Sequence, residues 1–197
     1  MTALDAQLQV AASRKAASIA TQFETKRLLI RAGVAADLHD TFALTQTSAD
    51  SLREWMPWAH PAPLLDSMQK YFFSIEEKWQ NREVLDFQWI EKSTGALIGK
   101  GGFHHIDWAI PKFEIGYWLG ERFVGHGYCT EAVNGLVQFA TTELGARRLE
   151  IRSQPTNTRS RAVAERCGFV LEGIHRMSLL GVDGQACDAC MYARVVA

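Results

Sequence analysis

Apolar residues change their spacing partway through this chain, and that change restricts the folds open to it. From Leu64 to Trp79 they recur at helical intervals (Leu64, Leu65, Met68, Tyr71, Phe72, Ile75, Trp79), which predicts a long amphipathic helix ending near Asn81. From Leu85 the interval drops to that of a strand. Three strand-like segments follow in succession: Leu85 to Glu91, Ala96 to Trp108 and Phe113 to Leu119. Turn signals at Lys92-Ser93-Thr94-Gly95 and Pro111 separate them. Helical spacing returns at Ala132, Val133, Leu136, Val137, Ala140 and Leu144, and Gly145 stops it. Upstream, Arg27 to Arg31 reads as a strand and Ala35 to Gln46 as a helix. Ser48 and Asp50 are suited to cap a second short helix that runs through Trp55 and ends at Pro57. Downstream come a strand at Arg148–Arg152, a short helix from Asn157 to Arg166, and a closing hairpin of strands near 169–179 and 186–195 turning at Val182-Asp183-Gly184. This order is neither a βαβ alternation nor an all-β pattern. It predicts an α/β (α+β) domain, a mixed sheet with helices on both faces, over residues 23–197. Residues 1–22 are rich in Ala, Ser and Gln, with weak helical periodicity at Leu4, Leu8 and Val10, and read as an N-terminal extension.

Charge narrows the partners. A formal net charge of -1, with acids and bases interspersed, leaves no basic stripe for nucleic acid and no acidic tail for a cationic partner. No apolar run is long enough to span a bilayer, and the first residues lack the apolar core of a secretory signal. The expectation is a cytoplasmic protein whose four cysteines (Cys129, Cys167, Cys187, Cys190) are reduced thiols.

The stretch richest in chemistry is Arg122-Phe123-Val124-Gly125-His126-Gly127-Tyr128-Cys129-Thr130-Glu131-Ala132, between a strand and a helix. Two glycines at a helix entry let backbone approach a bulky anion, and the first-turn N–H groups lack intrahelical acceptors. A phosphate or diphosphate site is one outcome, and a turn that only reverses the chain is the other. A Walker loop is excluded because no Gly-Lys-Ser/Thr closes the segment. A dinucleotide fingerprint is excluded because Thr130 stands where the third glycine is required.

Arg122-x-x-Gly125-x-Gly127 resembles the acetyl-CoA loop of the GNAT superfamily of N-acetyltransferases. Glu114-Ile115-Gly116-Tyr117-Trp118-Leu119 upstream, Asn157-x-x-Ser160 and Cys167-Gly168-Phe169-x-Leu171-Glu172-Gly173 downstream, and Arg53-x-Trp55-Met56-Pro57-Trp58 are similar to its ribosomal-protein N-terminal acetyltransferase branch. The resemblance runs from about residue 23 to 195. It implies a mixed, mostly antiparallel sheet of about seven strands whose fourth and fifth, near 112–119 and 147–153, splay apart. It also implies acetyl-CoA as co-substrate and no metal. The pantetheine arm would bond the backbone around Trp118 and Leu119 and meet Asn157. The diphosphate would rest on N–H groups from Phe123 through Val124, Gly125, His126, Gly127 and Tyr128 to Cys129 and Thr130. Trp55 and Trp58 would line the acceptor groove, with aromatic packing as the alternative.

Transfer to an amine requires a neutral nucleophile, a polarised carbonyl and a stabilised thiolate. The resemblance makes Glu114 the base, directly or through water; otherwise it is an exposed strand glutamate. It makes Ser160 the hydroxyl near the CoA sulfur. Two departures stand out: Ala164 replaces the superfamily's usual tyrosine donor, and Leu179 replaces a glutamate that the branch can carry. The acceptor implied is a protein N-terminal α-amine, attacked directly in a ternary complex. A small-molecule amine or a non-catalytic CoA-binding sensor are the alternatives. Cys187-x-x-Cys190 has zinc-like spacing without a second pair, His104-His105 reads as structural, and Cys129 reads as packing. The N-terminal extension and the strand bearing Cys187 and Cys190 would allow a homodimer.

Overall fold

A computed structural model describes residues 17–196 together with Gln9, Ala12, Ser13 and Lys15. The periodicity at Leu4, Leu8 and Val10 lies outside the described residues. Eight strands form one sheet: β1 (Gln22–Glu24), β2 (Leu28–Ala32), β3 (Leu85–Glu91), β4 (Leu97–Asp107), β5 (Lys112–Leu119), β6 (Arg148–Ser153), β7 (Val170–Leu180) and β8 (Ala186–Val195). Their order is β1-β2-β3-β4-β5-β6-β8-β7, antiparallel except for the parallel β5–β6 pair. Among the elements whose bounds are described, the α-helices are α1 (Leu38–Thr47), α2 (Ala49–Arg53), α3 (Leu65–Gln80), α4 (Tyr128–Thr142) and α5 (Thr158–Arg166).

The strand beyond the expected count is β1, only three residues long and too short to show a period. It pairs Phe23 with Ile30. Contact with the domain begins earlier still, since Ile19 is buried in the core and Ala32 N–H donates to Thr21 O at 2.7 Å.

Side chains alternate across the sheet and thereby sort two environments. Leu85, Phe87 and Trp89 of β3, with Phe103, Phe113 and Ile115, are fully or almost fully buried. Phe87 meets Phe23, Trp79, Phe103 and Phe139 edge-on at centroid distances of 5.0 to 6.3 Å, the arrangement aromatic quadrupoles favour. Phe139 brings α4 onto this face, along with Ala132, Val133, Leu136 and Ala140. The opposite face presents Asp86, Gln88, Lys100, His104, Gly116 and Trp118, and α1 and α3 cover it.

The β5–β6 pairing stops early. It links Lys112 to Arg148, Phe113 to Leu149 and Glu114 to Glu150, and no further. β5 stays paired with β4 as far as Leu119, and β6 stays paired with β8 as far as Ser153. The sheet therefore opens between Ile115–Leu119 and Ile151–Ser153, leaving one edge of β5 backbone without a strand partner. No described helix is long and apolar enough to cross a membrane.

Candidate active site

On the α4 side, the site is made of backbone. Gly125 and Gly127 take φ of +89° and +77°, a region that costs a side-chain-bearing residue about 1–2 kcal/mol. Gly127 is the N-cap of α4, and the first helical hydrogen bond is Glu131 N–H to Gly127 O. The N–H groups of Tyr128, Cys129 and Thr130 thus point out of a fifteen-residue helix at its positive end. Phe123 and Val124 differ from expectation. Their N–H groups donate to Gly120 O and Glu121 O in a 3-10 turn, so the free donors begin at Gly125.

Ion pairs fix this loop. Glu131 accepts from Thr25 Oγ1, Arg27 N and Arg27 Nε at 2.6 to 2.7 Å, while Arg27 Nη1 donates to His126 O. Burial opposes the Glu131 charge, but the Thr25 and Arg27 hydrogen bonds outweigh it and hold the carboxyl below its ordinary value. Tyr128 donates to Glu91 and carries the Arg27 guanidinium over its ring at 4.1 Å. Arg122 packs on Phe123 at 4.6 Å and stays exposed. Ser48 stands at the N-cap of α2 as expected, but its hydroxyl makes no cap bond; it accepts from Glu121 N–H at 3.0 Å and ties the α1–α2 junction to the start of this loop.

The splay leads into a cavity of about 860 Å³ between the open sheet face, α1, α3 and the α2–α3 connection. Trp55, Trp58, Trp118, Tyr117, Asn157, Ser160 and Leu179 all line it. Trp58 and Trp118 sit 6.0 Å apart, tilted by 52°, with Trp58 at the solvent edge. Leu119, Cys129 and the α4 loop lie outside the lining.

Two expected catalytic residues differ in placement. Ser160 faces the splay. Its N–H donates to Asn157 Oδ1, the N-cap of α5, at 3.0 Å, which leaves the Asn157 amide N–H groups available. Tyr117 Oη lies 3.1 Å from Ser160 Oγ and donates to Ser160 O at 3.2 Å. Burial pushes the Tyr117 phenol well above its usual range, so it remains a protonated partner. Ala164 is fully buried against the core.

Glu114 is not among the cavity-lining residues. Its Oε2 lies 2.8 Å from Arg152 Nε and 3.1 Å from His105 Nδ1. The Arg152 Nε–H does not aim along that line, so the contact is coulombic rather than a hydrogen bond. The carboxylate is thus turned to a guanidinium and an imidazole rather than into the cavity, a different placement from the one expected for this residue. Desolvation pushes the half-buried Cys129 thiol up to about 12, so it is no nucleophile near neutral pH. Cys190 is buried between β6 and β7, whereas Cys187 is partly exposed.

The cavity floor holds a cluster that the sequence reading missed. Lys100 Nζ and Asp86 Oδ2 are 2.7 Å apart, with side chains only 5% and 8% exposed. Tyr71 Oη donates to the same Asp86 oxygen at 2.9 Å, and Lys100 also lies over the Tyr71 ring at 4.5 Å. Thr41 Oγ1 on α1 is buried there without a hydrogen-bond partner among the described residues. The available signal was a lysine and an aspartate inside otherwise apolar strands, since such charges are buried only when paired.

With this geometry in hand, comparison with known proteins is direct. Residues 27–170 match the acetyltransferase (GNAT) domain family. YdaF of Bacillus subtilis (strain 168), provisionally named a ribosomal N-acetyltransferase, is 35% identical over 139 residues, 69% of this chain and 75% of that protein. The ribosomal-protein-serine acetyltransferase of Escherichia coli (strain K12) is 34% identical over 100 residues, 51% of this chain and 55% of that protein. Among solved structures, the microcin C7 self-immunity acetyltransferase MccE, crystallised with acetyl-CoA and AMP, superposes with a TM-score of 0.81. It is 26% identical, over 87% of this chain and 93% of that one.

Proposed function

The chain belongs to the GNAT acetyltransferase family, and on that premise we propose that the amine it acetylates is the α-amine of a polypeptide N-terminus, attacked directly in a ternary complex. Acetyl-CoA is the co-substrate of this N-acetyltransferase. The observation that carries the acceptor reading is the charge of the cavity. Its lining holds one carboxylate, Asp86, already paired to Lys100, alongside a second cation, Arg152. A polycationic amine would find no free acid there. An α-amine, with an ordinary pKa near ~8, is neutral in about a tenth of copies at pH 7 and needs far less help than a lysine-like amine near ~10.4. The Escherichia coli relative is named a ribosomal-protein-serine acetyltransferase, which supports a protein acceptor. A compact, singly charged small-molecule amine also suits a cavity of about 860 Å³ and is the second reading.

In this reading the free N–H groups from Gly125 to Thr130 hold the diphosphate. The unpaired β5 edge at Trp118 and Leu119, with Asn157, holds the pantetheine arm. Trp55 and Trp58 flank the acceptor. A backbone N–H on β5 stabilises the oxyanion as the tetrahedral adduct forms. Ser160 donates its hydroxyl hydrogen toward the departing sulfur. Tyr117 Oη, 3.1 Å from Ser160 Oγ, donates to that oxygen when the Ser160 hydrogen turns to the sulfur, and so keeps the hydroxyl oriented. Glu114 acts through Arg152, fixing the guanidinium at the cavity wall.

Purified protein is incubated with acetyl-CoA and a panel of N-terminal peptides, polyamines and small amines, following thiol release and product mass. N-terminal peptides should be acetylated and polyamines should not. Gly125→Trp should abolish turnover, and Ser160→Ala should lower kcat by about 10²-fold, the scale of a lost proton-transfer partner. Acetylation confined to polyamines would sink the acceptor reading. Tight acetyl-CoA binding with no turnover of any amine would turn it into a sensor.

A further inference from the structure

His104 on β4 takes no part in the ion pairs that fix its neighbours. It lines the cavity on the same sheet face as Asp86, Lys100, Gly116 and Trp118. Its ring rests on β5: Cδ2 and Nε2 lie 3.1 and 3.2 Å from the point where a Cβ on Gly116 would stand. Gly116 is two residues past Glu114, the last β5 residue paired with β6, so the imidazole stands over the strand just where the sheet opens. A side chain at position 116 would press on this ring.

A bulge sets up the arrangement. The β4–β5 register shifts after His104, and His105 takes φ +46°. Regular alternation would send these two rings to opposite faces. Instead His105 turns to Glu114 Oε2 on the cavity side of the sheet, and His104 is left with neither ring nitrogen hydrogen-bonded to any described residue. The groups facing it are Asp86 from β3, Lys100 and His105 from β4, and Glu114 from β5. Burial lowers its pKa most. Asp86 and Glu114 oppose that effect, while His105 and Lys100 add to it, and the net is an imidazole neutral at pH 7. A neutral ring with an unoccupied lone pair, beside the opened strand, is what an amine acetyltransferase requires and what Glu114 does not supply.

We propose that His104 is the proton acceptor for the attacking amine, an assignment that rests on the acetyltransferase reading but not on which amine is the acceptor. The amine nitrogen forms its bond to the thioester carbon and passes a proton to the free nitrogen of His104. The C–S electron pair leaves on sulfur, which takes the Ser160 hydroxyl hydrogen. The imidazolium releases its proton to solvent, and solvent reprotonates Ser160. The net change is one amide formed and one thiol released.

The test uses whichever amine the wild-type protein acetylates, so failure of N-terminal peptides as acceptors is read separately from the fate of His104. His104→Gln should lower kcat/KM for the amine by about 10²-fold or more, a typical general-base contribution, with acetyl-CoA affinity unchanged. It should also remove the enzyme's ionisation from the acid limb of the pH–kcat/KM profile, leaving only that of the amine itself. His104→Ala should regain activity when free imidazole is added, a rescue that a purely structural histidine would not give. A Gln variant within about threefold of wild type, or an Ala variant deaf to imidazole, overturns the assignment. A wild-type protein that acetylates no amine overturns it together with the enzyme reading.

Discussion

On the α4 side of the sheet the candidate groups are backbone N–H donors, freed by glycines at positive φ and by a helix start, whereas on the α1–α3 side they are side chains gathered from four elements. The α4 loop is contiguous from Arg122 to Thr130. The acceptor floor combines Thr41, Tyr71, Asp86, Lys100 and His104, which no sequence window contains together. Donors supplied by backbone survive most substitutions. A buried pair supplied by two side chains does not survive the loss of either.

The largest break in that contrast is expected from Lys100→Met. Stranding Asp86 in the floor should cost about 3–5 kcal/mol of stability, the usual penalty for orphaning a buried charge, and the double variant with Asp86→Leu should recover much of it. Urea unfolding of the two variants decides this. A single variant as stable as wild type would mean that solvent reaches the pair. Next in size is Gly127→Val. Forcing a β-branched residue to φ +77° should weaken acetyl-CoA binding about tenfold, from a strain of ~1–2 kcal/mol, and calorimetry should find the apo fold intact.

A smaller effect concerns acid. Glu131 has its folded-state pKa below the ordinary ~4.3, so its contribution is fully present above that value and is lost as pH falls through the folded-state value. Because Arg27 is partly exposed, the contribution is screened to ~1 kcal/mol. Glu131→Gln should therefore lower the urea midpoint at pH 7 and narrow the difference between pH 7 and pH 3.5; equal pH dependence in both proteins would remove the carboxylate from the account. The smallest change should come from His126→Ala. The side chain of this exposed residue makes no hydrogen bond among the described residues and only its backbone is used, so acetyl-CoA affinity should stay within about threefold, as for surface substitutions generally. A larger loss would show that the α4 loop, too, depends on side chains.

Much of the fold was legible because its signals are local. The amphipathic stripe of α3, the alternation in β3 to β5, Gly145 after α4 and the Asn157 cap each sit within a few residues, and most element bounds fall within one or two positions of expectation, the starts of α1 and α4 excepted. β1 was missed because three residues cannot display a period, and the Ser48 hydroxyl was misassigned because its partner lies on a loop 73 residues away. At the site, the glycine loop was legible for the same local reason. Glu114 was named from its strand position, but what holds it depends on Arg152 from β6 and on a bulge that turns His105.

The sequence by itself determined the order of the longer strands and helices, the glycine loop at the start of α4, and the absence of a tyrosine at Ala164. Each follows from residues whose chemistry acts over a few positions of chain. Only the tertiary structure decided where the β5–β6 pairing ends, which carboxylates are already engaged, and which imidazole is left free over the gap. Those depend on register and burial, which set the distances between charges and the solvent available to them, and neither is written in any one segment.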